Sequence, residues 1–420
     1  MNIRCSALAV VLLSATLAHA KVCDPHTYGA KADGVTPDTV AIQKAIDTCS
    51  APDSTIELTA GTWLSAPLTL RSHTHLVLDK DAILLGSKIQ DDYPVRTEPG
   101  NTWRRTALLH ADNVTDIAIA GPGTVDGQGQ QWWDLSQANR DKNDTSGNSA
   151  GFTRPLLIDI VHSDHILFDG ITLRNSPMYN ITLFYSHDIV IRNVKIRNPQ
   201  TSHNTDGIDP FSSSHIKIDH VSIDTGDDCI AIKSGLVERG EPNLPSFDIT
   251  VTNSEMLHGH GLSLGSELAG GAHDITVSNV TFKGTETGIR IKSARGRGND
   301  IYNLNYSNIK MEDVKLPILI TEYYPKIPDT DTAQPMAEHT PRFRDISITN
   351  LSANGANVAM QIAGLPESPI KNLSLENITI SAAKGAKVQY AEMTQKNVIL
   401  KVSTPPMMTQ GDGSKITQLK

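Results

Sequence analysis

Four short motifs follow one another through the middle of the chain: Asn204-Thr205-Asp206, Gly226-Asp227-Asp228, Gly259-His260-Gly261 and Arg290-Ile291-Lys292. Together they offer three carboxylates, an imidazole and two cations. Asp206 and Asp228 are 22 residues apart, Asp228 and His260 are 32, and His260 and Arg290 are 30. Hydrolysis of a glycosidic bond commonly needs one carboxyl group to protonate the leaving oxygen and a second to act as base or nucleophile. Carboxylates held close together raise one another's pKa, so one of three can keep its proton in mild acid. Arg290 and Lys292 alternate and so share a strand face. They suit the carboxylate of an acidic sugar, which Arg can bind in a bidentate manner. Structural ion pairs with the aspartates are their other possible use. Asp227 and Asp228 would point to opposite faces of a regular strand, so a bend or bulge at Gly226 is required if both serve one site. His260 lies between two glycines, where backbone and ligand can approach closely. Arg295, Arg297 and Lys233 add to the local positive field.

The elements that position these residues are repeats. Asp188-Ile-Val-Ile-Arg-Asn193, His215-Ile-Lys-Ile-Asp-His220, Asp248-Ile-Thr-Val-Thr-Asn253, Asp274-Ile-Thr-Val-Ser-Asn279, Asp345-Ile-Ser-Ile-Thr-Asn350 and Asn372-Leu-Ser-Leu-Glu-Asn377 are short alternating strands. Neighbouring clear copies are spaced by 27, 33, 26 and 27 residues, and a weaker copy at Leu304 to Asn308 divides the long gap. No long amphipathic helix separates them. This pattern predicts an all-β solenoid, a right-handed parallel β-helix rising about 4.8 Å per coil. The motif spacings are close to one coil each, so the four motifs should form a column on one face, on the order of 15 Å tall. The recurrent Asn at the strand end should stack on its equivalents, as well as forming turns.

Solenoid ends must be covered. Thr36-Pro37 reads as an N-cap with Pro at the first helical position, and Val40, Ala41, Ile42, Ala45 and Ile46 give a short capping helix an apolar face up to about Cys49. The cap spans about 21–54, and Thr55 to Ser87 reads as the first coils. Polar residues 403–420, with Pro405-Pro406 and Gly411, are expected to be poorly ordered or to lie along the outside. Two insertions, Gln128 to Phe152 and Tyr323 to Arg342, are expected to wall a groove.

Residues 1–20 read as a secretory signal, with Arg4, an apolar run from Ala7 to Leu17 and Ala18-His19-Ala20 before the cut. Residues 21–402 then form a single β-helix domain, exported to the cell exterior or the periplasm. The formal charge is −9, which argues against nucleic-acid binding. An anionic substrate therefore requires positive charge concentrated at the site. No second run is long enough for a membrane helix, and a monomer is expected. Cys23 and Cys49 flank the helix and form a reasonable disulfide pair, and Cys229 in an apolar run reads as a buried inert thiol.

The stretches Ser202–Asp209, Thr225–Gly235, Gly259–Ser266 and Gly288–Ser293 resemble the polygalacturonases, the pectin-degrading glycoside hydrolases of family 28. Tyr28–Gly34 and Gln43–Ile46 are similar to the N-terminal cap of pectin-acting β-helix proteins. The resemblance covers most of the chain, and four motifs in order are specific where one is not. It implies inverting hydrolysis of α-1,4-linked galacturonan. Asp227 would be the general acid, and Asp206 and Asp228 would activate water. His260 would support the acid's protonation. Arg290, Lys292, Asn204 and Tyr324 would bind substrate, an acidic polysaccharide. No metal or organic cofactor is implied. Gly226 stands where other members have Gln, which leaves the reaction unchanged. Internal cleavage is expected over release from a chain end. Competing readings are a calcium-dependent pectate lyase, a hydrolase of rhamnogalacturonan and a non-catalytic polysaccharide-binding β-helix.

Overall fold

A computed structural model describes residues 21–97, 104–141, 153–239 and 242–420. The expected signal segment, 1–20, lies outside the described residues, as does the part of the first insertion from 142 to 152. The chain winds as a parallel β-helix in which each strand pairs in parallel with its counterpart one coil on. Alternation dictates the core. Ile166, Ile189, Ile216, Ile249, Ile275, Leu304, Ile346 and Leu373 are in register from coil to coil. All are buried, so each aliphatic side chain packs on the one below it. Full burial of each contributes about 1.5–3 kcal/mol.

The Asn column forms as expected. Asn279 donates to Asn253, Asn308 to Asn279, Asn350 to Asn308, Asn377 to Asn350 and Asn397 to Asn377, over 3.0–3.3 Å. Each of these residues has φ between 50 and 56°, the left-handed conformation that Asn tolerates better than other non-glycine residues. One residue type therefore makes the bend and ties the coils.

Helix α1, Thr39–Cys49, closes the N-terminal end with Ala41, Ile42, Ala45, Ile46 and Cys49 buried, and Cys23 is disulfide-bonded to Cys49. Its start differs from the expected Thr36 cap. Asp33–Pro37 is a strand and the cap position is Asp38. Asp33 explains the shift: it accepts from the Thr36 backbone N–H at 2.7 Å and from the Thr36 hydroxyl at 2.8 Å, so that hydroxyl is already used.

The C-terminal residues also depart from expectation. Strands Ala391–Gln410 and Lys415–Gln418 continue the helix, with Lys384 paired to Thr404, Ala386 to Met408 and Lys387 to Thr409. The exposed backbone of the preceding coil requires hydrogen-bond partners, and this segment supplies them. Pro405-Pro406 falls where the register shifts between Lys384 and Ala386, so its missing N–H groups cost little. Among the described residues no helix is long and apolar enough to cross a membrane.

Candidate active site

The site lies where the chain bends into one face of the helix. Ile208, Ile230, Leu262 and Ile289 are successive partners on that face. Asp206, Asp228 and His260 each stand two residues before one of these positions, so they are coil-to-coil equivalents. Arg290 is not. It aligns with Ser263 and Ala231, farther along the strand, and its length lets it reach back to Asp228. The Asp pair sits on a bend, as the alternation argument requires. A Cβ at Gly226 would lie 2.1 Å from the Ser202 carbonyl oxygen, and one at Gly259 would lie 2.4 Å from that of Asp227. Only glycine permits this packing between coils.

Asp228 is the most heavily partnered group. Its Oδ1 accepts from Ser263 Oγ at 2.6 Å and from Arg290 at 2.9 Å, and its Oδ2 accepts from Lys292 Nζ at 2.9 Å. Burial alone would raise its pKa, but Lys292, Arg290 and His260 outweigh burial and hold it well below the usual carboxylate range. Asp227 accepts the Asp228 backbone N–H at 2.8 Å and faces His260 Nδ1 at 3.0 Å. Burial opposes its charge, yet the bond to His260 lowers its pKa. His260, whose charge burial disfavours, is raised by Asp227. Its Nε2 lies 3.3 Å from Glu286, so the imidazole bridges two carboxylates. Asn204 Nδ2 is 3.5 Å from Asp227 Oδ2.

Asp206 behaves oppositely. Burial raises its pKa well above normal, with Asp227, Asp209 and Asp228 adding to the rise and Lys233 opposing it. Lys233 Nζ bonds Asp206 at 3.2 Å and Asp209 at 2.6 Å. Asp209 is fully buried and pushed up to about 6, chiefly by burial. Lys233 stays charged despite burial because Asp209 faces it. One ammonium thus serves two carboxylates, and the second carboxylate retains a proton to higher pH. Asp209, Ser263 and Glu286 were not singled out from sequence. The coil period exposes the first two, because they align with Arg290 on the same strand face.

Asp227, Asp228 and His260 offer ligand atoms within 4.8 Å of one another, a spacing that could hold a metal. Arg290 and Lys292 occupy both oxygens of Asp228, and their charge opposes a dication there. Lys292 lies 5.4 Å from the Tyr324 ring centre, placing Tyr324 at the site. Tyr323 instead donates its hydroxyl to Asp331 at 2.8 Å. Arg295 is committed to Asp331 and Glu367, at 2.7 and 2.5 Å. That bridge braces the second insertion as a wall. Cys229 is buried, and burial pushes its thiol up to about 12.

The first insertion supplies helix α2, Gln130–Asp141, anchored by buried Trp132 and Trp133. Its Arg140 donates to Asn204 at 3.0 Å and Gln137 meets His203 at 2.8 Å. Arg154 donates to the same Asn204 oxygen at 2.6 Å. This insertion therefore borders the site on the Asn204 side. On the other side a cavity of about 430 Å³ opens beside Arg290, Lys292 and Tyr324.

Similarity to known proteins points to one family. A probable polygalacturonase from Vitis vinifera is 31% identical over 402 residues, covering 92% of this chain and 79% of that protein. An endo-polygalacturonase from Pectobacterium carotovorum subsp. carotovorum is 31% identical over 368 residues, covering 84% and 86%. The fold matches a family 28 exopolygalacturonase of Yersinia enterocolitica with a TM-score of 0.83 at 23% identity, covering 94% of this chain and 78% of that one. The family described as glycosyl hydrolases family 28 matches residues 78–402. That span contains every coil contributing to the carboxylate cluster, and the chain is a glycosyl hydrolase belonging to family 28.

Proposed function

We propose that the protein hydrolyses α-1,4-galacturonosidic bonds of de-esterified pectin with inversion. The observation that carries this reading is the gathering of Asp206, Asp227, Asp228 and His260 in one cluster flanked by Arg290 and Lys292. Arg290 gives one nitrogen to Asp228, and its guanidinium carries further donors suited to a sugar carboxylate. Lys292 has further N–H donors for the same group.

In the proposed reaction Asp227 protonates the glycosidic oxygen. The unliganded site holds Asp227 charged, so it takes its proton from the His260 imidazolium 3.0 Å away. Asp206, whose raised pKa makes it the stronger base once ionised, removes a proton from water, and Asp228 orients that water. The water oxygen attacks the anomeric carbon as the bond to the leaving oxygen breaks. Internal cleavage of the chain, expected from sequence, is the mode proposed, and the product profile below tests it. Arg140 and Arg154 both donate to the Asn204 amide oxygen, which leaves its Nδ2 facing Asp227. Export agrees with the Cys23–Cys49 disulfide, and the enzyme is read as a monomer.

Asp227→Asn should abolish turnover of polygalacturonate while leaving folding intact, and it should recover activity on an aryl galacturonide whose leaving group needs no proton. Asp206→Asn should recover on neither substrate. Near-normal activity of Asp227→Asn would refute the acid assignment. Product profiling of the native enzyme with chelator present separates hydrolysis from calcium-dependent elimination, which gives an unsaturated product. It also separates monomer or dimer release from an oligomer ladder.

A further inference from the structure

Glu322 is a carboxyl that the reaction does not use. It stands immediately before the second insertion and is wholly buried. Its Oε1 accepts from the Phe343 backbone N–H at 3.0 Å and its Oε2 from that of Leu365 at 2.9 Å. Phe343 directly follows Arg342, where the insertion ends, so one side chain ties the outgoing stem of the insertion to the returning one. Leu365 lies just past Ala363, the equivalent of Thr321 one coil on. The second bond therefore fixes the closed stem to the next coil. Burial pushes Glu322 up to about 8, with Glu367 adding to the rise and the two backbone donors and Arg295 opposing it. In mild acid the group is uncharged, which is how a carboxyl can stand in the core with backbone partners alone. Arg295 is bonded to Glu367 and Asp331, so it braces the outer part of the insertion and leaves the stems to Glu322. Tyr324 follows closely in the chain and links this clamp to the site. Its ring centre is 5.4 Å from Lys292 Nζ and 5.9 Å from the Arg297 guanidinium.

We propose that Glu322 is a positioning residue: its carboxyl closes the stem of the second insertion and thereby holds Tyr324 in place against Lys292. The proposal rests on the galacturonan reading above, in which Tyr324 contacts substrate. Glu322→Gln fills the same space but turns one acceptor into an amide donor facing a backbone N–H, so one of the two ties is lost. KM on trigalacturonate should rise about tenfold, the effect of a buried hydrogen bond left unmade, with kcat little changed. Glu322→Asp, a methylene too short to reach both stems, should do the same, whereas an effect of charge alone would spare it. In a Tyr324→Ala background neither change should raise KM further, because the residue through which Glu322 acts is gone. Losses that add in the double variants, or a native KM in either single variant, would overturn the proposal. Hydrogen exchange gives a readout independent of turnover. Amides in 323–342 should exchange faster in Glu322→Gln, while the neighbouring strand Leu316–Thr321 keeps its native protection. Unchanged exchange in the insertion, or faster exchange throughout the chain, would also overturn it. If the native enzyme does not cleave galacturonan, the functional reading fails by itself, and the exchange result alone decides whether Glu322 holds the insertion.

Discussion

Replacing Lys233 by Met tests whether one ammonium sets the charge of Asp206. Lys233 lies against Asp206 and Asp209, and all three side chains are at most 7% exposed. Met is close in length and apolar, so it keeps the packing against the rings of Tyr179 and Phe211, 4.4 and 4.9 Å from the ammonium. Without the cation two buried carboxylates face each other, and the least costly relief is to take up a proton. Holding a proton on a carboxyl of ordinary value 3.8 costs about 1.36 kcal/mol for each pH unit above that value. The native fold should therefore lose at most about 4.4 kcal/mol at pH 7 and about 1.6 kcal/mol at pH 5. Removing the buried ammonium relieves its own desolvation, so these are upper figures.

The sign follows from the direction of the shift. A carboxyl whose pKa is raised by folding keeps its full stability below its unfolded value and loses it as pH rises through the folded value. The variant should match the native protein near pH 4 and fall progressively behind up to about pH 7. Urea unfolding midpoints across that range measure this directly. Adding Asp209→Asn, which removes the orphaned charge, should recover most of the loss. A destabilisation equal at both ends of the range, or none at pH 7, would refute the electrostatic account.

Two further outcomes follow from the geometry. Lys292→Ala removes one of two cations on Asp228 and a donor to the substrate carboxylate. It should lower kcat/KM on galacturonate oligomers about 100-fold, mainly through KM, and an unchanged kcat/KM would remove Lys292 from the site. Asn350→Ala forces Ala into a φ of 53° and breaks the bonds to Asn308 and from Asn377. A loss of about 2 kcal/mol is expected by urea unfolding, against about half that for Asn350→Gly. Equal losses for both variants would show that the backbone conformation contributes nothing.

The β-helix was readable because its two signals are local and periodic: an alternating aliphatic strand and an Asn in the left-handed bend after it. The stacking of Asp206, Asp228 and His260 was readable for the same reason, since their spacings equal the coil. The contact of Arg290 with Asp228 was only half readable. It depends on side-chain reach across coils rather than on phase, and phase alone would place Arg290 beside Ser263. Asp209 escaped notice because it looks like any polar residue in a strand until Lys233 is seen above it. The helix start was misplaced because Asp33, three residues earlier, had already engaged Thr36. The last coil was misread because Pro405-Pro406 argues against a strand except where the register slips, and no pattern in one sequence marks a slip.

A solenoid that stacks equivalent positions also stacks equivalent charges, and this determines how the site works. Asp206 and Asp228 are one coil apart, where two unit charges repel by about 3.5 kcal/mol at an effective dielectric of 20. The strand face resolves the conflict unequally. Asp228 receives two cations, Arg290 and Lys292, and stays ionised. Asp206 shares a single cation with Asp209 and keeps a proton to higher pH. Desolvation is similar for both, since each is almost wholly buried. The number of cations available to each carboxylate therefore decides which is permanently charged and which can exchange a proton with water. By this argument Lys233→Met should raise the acid-side pKa of kcat/KM, whereas Ser263→Ala, which leaves both cations on Asp228, should leave it in place.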